Sequence, residues 1–164
     1  MSKHPHKTDL QKINAPLLHR LIDLDPHSLQ EGQLGKFVDI EGLQNDIRNN
    51  LENVLNARTT SVQWPAHLKH IEQSILGYGM KDFSHRHFGN KQRQKQLCQE
   101  IKLLINRYEP RLKNIHVNAL DNDIEVERVL NLRIEAMIDL TPTPVPAVFE
   151  SCLDVTHYSF AFEG

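Results

Sequence analysis

Cysteine, net charge and long apolar runs are all scarce in this chain of 164 residues. Only Cys98 and Cys152 are present, and because they are far apart in sequence we interpret them as reduced thiols rather than as a disulfide. No apolar run is long enough to span a bilayer, and the polar residues before Ile13 contain no signal-peptide core. These features lead us to expect a cytoplasmic protein.

The formal net charge of -2 provides no overall field that would attract nucleic acid or an anionic membrane. One segment is locally basic, with Phe83 and Phe88 between its cations, which are Lys81, Arg86, Lys91, Arg93 and Lys95. A small nucleic-acid-binding adaptor is therefore an alternative function. An exposed surface, or one that meets an acidic partner protein, is the simpler interpretation of this segment.

Two segments of the N-terminal two thirds carry apolar residues at helical spacing. The first stripe consists of Leu43, Ile47, Leu51, Val54 and Leu55, and the second of Leu97, Ile101, Leu104, Ile105 and Tyr108. Shorter helices are predicted over residues 14–24 and 67–76, with a linker over residues 26–38. The two glycines that follow residue 76 would let Tyr78 fold back onto the helices.

Beyond Pro110 the apolar period changes to that of strands. Residues 115–119 alternate, and residues 130–140 do so without a break, which predicts a central half-buried strand. After a proline-rich linker over residues 142–146, two strands are predicted near residues 147–152 and 154–162, the last at a sheet edge. The predicted class is α+β, with N-terminal helices packed on one face of a C-terminal antiparallel sheet. We expect residues 1–14 to be flexible and residues 15–164 to form a single domain.

The helix-to-strand junction at Glu109-Pro110-Arg111 is the clearest candidate site. Proline cannot continue a helix and restricts the residue before it, so a carboxylate and a guanidinium flank a rigid corner. Three interpretations follow from the residues: a catalytic acid, an internal ion pair, or a fixed contact for a partner protein. Burial of the corner within the isolated chain, with both charges neutralised there, would argue against the third.

Enzymatic and metal sites receive little support. Glycoside hydrolysis needs two suitably placed carboxyl groups, and although Glu109 and Asp82 could be nominated, a chain with 21 acidic residues offers many such pairs. The histidine pairs His67 with His70 and His85 with His87 lack nearby cysteines. We therefore predict no catalytic residue, metal or cofactor, and retain a cell-wall hydrolase only as an alternative.

Four segments, in order, resemble the lysozyme-related baseplate wedge family. They are the helix end Leu51-Glu52-Asn53-Val54-Leu55-Asn56-Ala57-Arg58, the block Ser74-Ile75-Leu76-Gly77-Tyr78-Gly79-Met80-Lys81-Asp82-Phe83, the corner Glu109-Pro110-Arg111-Leu112, and Leu17-Leu18-His19-Arg20-Leu21. The last is similar to a helix of the family's type VI secretion branch, the TssE subunits. Ala57 departs from the family pattern, where threonine is usual.

The resemblance implies a structural, non-enzymatic subunit of a contractile injection baseplate. It implies that the subunit joins the wedge beside TssF-like and TssG-like proteins, through docking residues Glu109, Pro110 and Arg111. It also implies that the domain templates the first sheath ring by strand pairing with TssB-like and TssC-like sheath subunits. Tyr158 and Phe160, on the predicted last strand, are the candidate sheath contacts.

Overall fold

The computed structural model describes residues 13–14, 16–17, 21, 37–59, 65, 67–68, 70–71, 74–83, 90–120 and 128–162. The chain divides into two compact units, residues 1–47 and residues 48–164. The prediction of one domain over residues 15–164, and that of a flexible segment before it, both stay predictions.

In the first unit, strands β1 (Ile13–Asn14) and β2 (Phe37–Val38) pair antiparallel. Asn14 is therefore in a strand, although a helix was predicted to begin there. Leu17 and Leu21 are helical, Pro16 is not, and the other residues of that predicted helix after Asn14 lie outside the described residues. The linker predicted over residues 26–38 is wrong at its end, where β2 lies, and otherwise falls outside the described residues.

Two long helices follow, and both were predicted. Helix α1 (Ile40–Asn56) begins where the side chain of Asp39 accepts a hydrogen bond of 2.7 Å from the amide of Gly42, and all five residues of its apolar stripe are buried. Helix α2 (Lys91–Tyr108) is capped by Asn90, whose side chain accepts from the amide of Gln92 at 2.8 Å. Leu97, Ile101 and Ile105 of its stripe are buried.

Four strands form an antiparallel sheet in the order β3-β4-β5-β6, which confirms the α+β class. They are β3 (Leu112–Ala119), β4 (Val129–Ile138), β5 (Val145–Asp154) and β6 (Ser159–Phe162). Helix α2 packs against β3. The predicted central position of β4 is confirmed, and β3 and β6 are the two edges of this sheet.

Strand β5 is longer than predicted and includes Pro146, which was assigned to a linker. The amide of Val155 donates to the carbonyl of Arg128, and the β4–β5 register has no break, so odd-numbered residues of β5 bond to β4. Pro146 therefore sits where its missing N–H would point away from β4. A proline at such a position costs the sheet no hydrogen bond.

The segment between the helices is held against the end of α1. Gly79 has a φ of 97°, and a Cβ atom there would lie 2.5 Å from the carbonyl oxygen of Ala57, so only glycine fits. The amide of Met80 donates to that same carbonyl at 2.9 Å. Of the helix predicted over residues 67–76, the described part contains a short 3-10 helix, Ile75–Gly77.

Among the described residues, no helix combines the length and the apolar character needed to cross a bilayer.

Candidate functional site

The corner forms as its proline predicts. The amide of Glu109 donates the last helical hydrogen bond of α2, to the carbonyl of Ile105 at 2.8 Å, and Glu109 itself leaves the helical region. Pro110 is exposed, and the amide of Leu112 donates to the carbonyl of Glu109 at 3.1 Å, which starts β3. Helix and strand are thus joined by a single tight turn, whose direction is fixed on both sides.

Glu109 and Arg111 form a two-point ion pair. Arg111 Nε lies 2.6 Å from Glu109 Oε1, and Arg111 Nη2 lies 2.7 Å from Glu109 Oε2. Asn50 of α1 adds a longer contact of 3.5 Å from its Nδ2 atom to Oε2. The side chain of Glu109 is 5% exposed and that of Arg111 is 29% exposed. The interpretation as an internal ion pair therefore describes the geometry of the isolated chain. The two charges neutralise each other and Glu109 is buried, which argues against docking by this carboxylate, whereas the exposed Pro110 shows that the corner as a whole is not enclosed.

This geometry divides the three predicted docking residues by their access to solvent. The buried carboxylate of Glu109 is committed to Arg111 and cannot reach another protein without leaving its pair. Pro110 and the outer part of Arg111 remain accessible. A guanidinium held at two of its donors is fixed in one orientation, because the planar fork matches the carboxylate. The corner can thus present a pre-oriented cation beside a proline ring.

Tyr78 supports the same end of α2. Its ring meets that of Tyr108 edge to face, with 5.1 Å between ring centroids, as the glycines around Tyr78 led us to predict. Burial, and secondarily the nearby Tyr108, raise the pKa of Tyr78 above its ordinary value. The hydroxyl of Tyr78 therefore stays neutral at physiological pH.

Of the two predicted sheath contacts, Phe160 lies within β6, whereas Tyr158, which was also predicted on this strand, lies in the turn before it. The ring of Phe160 is buried and lies edge to face with Phe83, at 6.1 Å between centroids. Tyr158 has a φ of 54° in the turn before β6, and its ring lies 5.6 Å from that of Phe83. The side chains of these residues thus face Phe83 within the second unit.

The backbone of β6 is contacted by the end of α1. Asn56 donates from Nδ2 to the carbonyl of Phe160 at 2.8 Å and accepts at Oδ1 from the amide of Phe160 at 2.8 Å. Arg58 donates from Nη2 to the carbonyl of Tyr158 and from Nη1 to the carbonyl of Leu55 at 3.3 Å. Its guanidinium carbon lies 4.7 Å from the centroid of the Phe83 ring. This junction unites residues a hundred positions apart.

The sequence analysis did not identify Asn50, Asn56 or Arg58 as site residues. Asn56 and Arg58 are part of the family-like block at the end of α1. The signal that could have identified them is their position as polar residues directly after an apolar stripe. Their partners could not be inferred, because sequence patterns do not show which strand a helix end will meet.

The metal site and the nucleic-acid surface considered from the sequence were compared with the described residues. Within the described part of the chain, no group of three or more histidine, cysteine or acidic residues could hold a metal ion. His85, His87, Arg86 and Phe88 lie outside the described residues. Phe83 is only 1% exposed, so it cannot stack on a nucleic-acid base.

Comparison with known proteins places these features in a family context. The profile of the family described as "Baseplate wedge protein gp25" matches residues 41–143, more than half of the chain. No curated protein gives a significant match.

The solved structures that resemble the chain include the following two. One comes from the baseplate complex of the type VI secretion system, with 19% identity, a TM-score of 0.49 and coverage of 68% of this chain and 94% of that one. The other, a Geobacter sulfurreducens protein assigned as a tail lysozyme, has 19% identity, a TM-score of 0.43 and coverage of 66% and 88%.

Proposed function

This chain belongs to the baseplate wedge protein gp25 family, and on that premise we propose that it is a structural subunit of the baseplate of a type VI secretion apparatus. The observation that most directly supports this proposal is the corner, where a rigid turn exposes Pro110 and part of Arg111. The type VI branch is favoured by the sequence Leu17-Leu18-His19-Arg20-Leu21. The subunit works in the cytoplasm, within a wedge that also contains TssF-like and TssG-like proteins.

The three residues of the corner have different roles in docking. Arg111 and Pro110 contact the wedge partners. Glu109 does not contact them but holds the guanidinium of Arg111 in place through its two hydrogen bonds. Pre-orientation lowers the entropy lost on binding, because the side chain of Arg111 is already restricted before the partner arrives. Arginine is also the charged residue most suited to two-point contacts at interfaces.

The sheath contact is strand pairing at the β5–β6 side of the sheet. Strand β6 ends at Phe162, opposite Ser151, whereas β5 continues back to Val145. Even-numbered residues of β5 direct their backbone away from β4, so the amide of Val148 and the carbonyls of Pro146 and Val148 face the same side as β6, beyond the residues that the described part of β6 pairs with. A TssB-like or TssC-like strand would pair with this stretch through main-chain hydrogen bonds. Pairing at Phe160 would first require Asn56 to move.

The wedge proposal is tested by Arg111→Lys, which keeps the charge but loses the planar fork. We expect the variant to fold and to lose most of its copurification with TssF-like and TssG-like proteins. Arg107→Lys, at an exposed position in the last turn of α2, is the matched control and should copurify normally. Normal recovery of both partners by the Arg111 variant would refute docking through this corner.

The sheath proposal is tested separately by Val148→Pro. The substitution removes an outward N–H while leaving the β4–β5 hydrogen bonds intact, and Val148 is half exposed. Sheath assembly should fail while copurification with the wedge proteins persists. Val148→Thr, which keeps the amide, should assemble sheath normally. Sheaths of ordinary number and length with the proline variant would exclude this edge.

No catalytic step is part of the proposed role. Both carboxylate oxygens of Glu109, the acid nominated for hydrolysis, face the guanidinium of Arg111. We expect the purified protein to leave a suspension of cell walls intact. Clearing of the suspension would instead favour the hydrolase.

A further inference from the structure

Strand β6 has one side paired and one side facing outward. Ser159 and Ala161 lie opposite Asp154 and Cys152 of β5. Because backbone groups alternate in an antiparallel ladder, and because Phe160 bonds to Asn56 through both its N–H and its C=O, the outward residues of β6 are Phe160 and Phe162. These are the positions to which a fifth strand would bond.

Asn56 takes the place of such a strand at Phe160. Its carboxamide offers one donor and one acceptor in a plane, as a peptide group does, and makes both bonds at 2.8 Å. Arg58 donates to the carbonyl of Tyr158, two residues before Phe160. The segment that carries these side chains is itself fixed, because the amide of Thr59 donates to the carbonyl of Met80 at 3.0 Å. The cover is therefore built into the fold rather than loosely placed.

The two edges of the sheet are protected differently. Edge strand β3 carries Lys113, and its ladder is interrupted between Lys113 and His116, where Asn114 adopts a φ of 52°. Charged residues and bulges of this kind discourage pairing with another chain. Strand β6 has the sequence Ser159-Phe160-Ala161-Phe162, without a charge or a proline, and its ladder is regular. Asn56 and Arg58 supply the protection that this strand's own sequence lacks.

We propose that Asn56, assisted by Arg58, closes the β6 edge against a second copy of this chain. The partner is a second copy because an uncharged strand pairs with itself about a twofold axis without like-charge repulsion, and because Phe160 opposite its own counterpart would satisfy both outward groups at once. This inference concerns the isolated chain and does not depend on the baseplate role.

The test is Asn56→Ala, followed by sedimentation velocity of the purified chain over a range of concentrations. We expect the native chain to sediment without dependence on concentration, and the variant to dimerise at least about tenfold more readily. Hydrogen exchange of the Phe160 amide provides a second readout. It should be slow in the native chain, faster in the dilute variant, and slow again as the variant dimerises.

Asn53→Ala, at an exposed position about one turn earlier in α1, is the matched control and should behave as the native chain does. If the alanine variant does not fold, Asn56→Ser decides, because its side chain is too short to bridge both groups. A folded variant that stays monomeric at every concentration overturns the proposal. So does a native chain that already pairs through β6, or unchanged exchange at Phe160 after the substitution.

Discussion

The corner and the β6 edge are two places where an asparagine of α1 reaches towards the elements after it, and they differ in charge. At the corner, Asn50 approaches a buried carboxylate that already has a two-point guanidinium partner. At the edge, Asn56 bonds only to neutral backbone groups of Phe160. A buried charge without its partner is costly, whereas neutral hydrogen bonds near the surface can be exchanged for water or for another strand.

The difference suggests a division of roles. The corner is a fixed element, because separating Glu109 from Arg111 would leave a charge in a poorly solvated position. The edge is a replaceable contact, because an incoming strand could offer the same two hydrogen bonds that Asn56 makes. A subunit that must be rigid towards the wedge and controlled in its strand pairing has a use for both kinds of contact.

The largest expected effect is that of Arg111→Ala on stability. Loss of the guanidinium leaves the Glu109 carboxylate buried without its ion-pair partner, so we expect the free energy of unfolding to fall by about 2–3 kcal/mol. This is below the value for fully buried pairs, since Arg111 is partly exposed. Denaturant titration at neutral pH measures it.

Arg133→Ala is the control for that prediction. Arg133 lies 3.1 Å from Glu135 and 3.9 Å from Glu150, but all three side chains are well exposed. Its removal should cost at most about 1 kcal/mol. Equal losses for the two arginines would break the distinction between a buried pair and surface pairs.

The effect of Asn56→Ala on stability should be smaller than that of Arg111→Ala. Two neutral hydrogen bonds are lost, worth about 1 kcal/mol each, while alanine at the helix end returns a few tenths. We expect a net loss of about 1–2 kcal/mol in denaturant titration. The measurement should be made at low protein concentration, because dimerisation would otherwise add stability by mass action. A loss larger than that of Arg111→Ala would reverse the comparison.

The smallest effect concerns the turn that leads into β6. The side chain of His157 bonds to Asp154 at 2.7 Å, and the amides of Thr156 and His157 also donate to that carboxylate. With the His157 side chain as the largest cause, these bonds lower the pKa of Asp154 to about 2. Because the folded-state pKa lies below that of the unfolded chain, the stabilisation is complete above about pH 4 and is lost as the pH falls towards 2.

An NMR titration of the Asp154 carboxyl carbon checks this directly. In the His157→Ala variant the midpoint should rise towards the ordinary value for aspartate. The Asp154→Asn variant should show a stability difference from the native chain that shrinks as the solution is acidified from about pH 5 to about pH 2. An unchanged midpoint after removal of the imidazole would assign the shift to the backbone amides instead.

Most of the fold could be predicted from the sequence, because each element depends on residues within its own segment. Residues 43–55 and 91–108 repeat apolar side chains at helical spacing, and residues 130–140 alternate, so each element is encoded within its own segment. The proline after Glu109 marked the helix end for a similarly local reason. Pro146 was wrongly assigned to a linker, because its tolerance in β5 depends on which side of the strand faces β4.

The sequence by itself determined the helices, the central strand and the rigid turn at Pro110. Apolar periodicity and the backbone restriction imposed by a proline ring both act over a few residues. Only the tertiary structure decided that Glu109 turns inward to Arg111, that Asn56 meets Phe160 and that Arg58 lies over Phe83. The contacts of Asn56 and Arg58 join positions that are distant in sequence. Glu109 and Arg111 are only two residues apart, but the burial of their pair depends on the elements packed around the corner. Burial and hydrogen-bond satisfaction select such contacts only when the sheet and its helices are assembled.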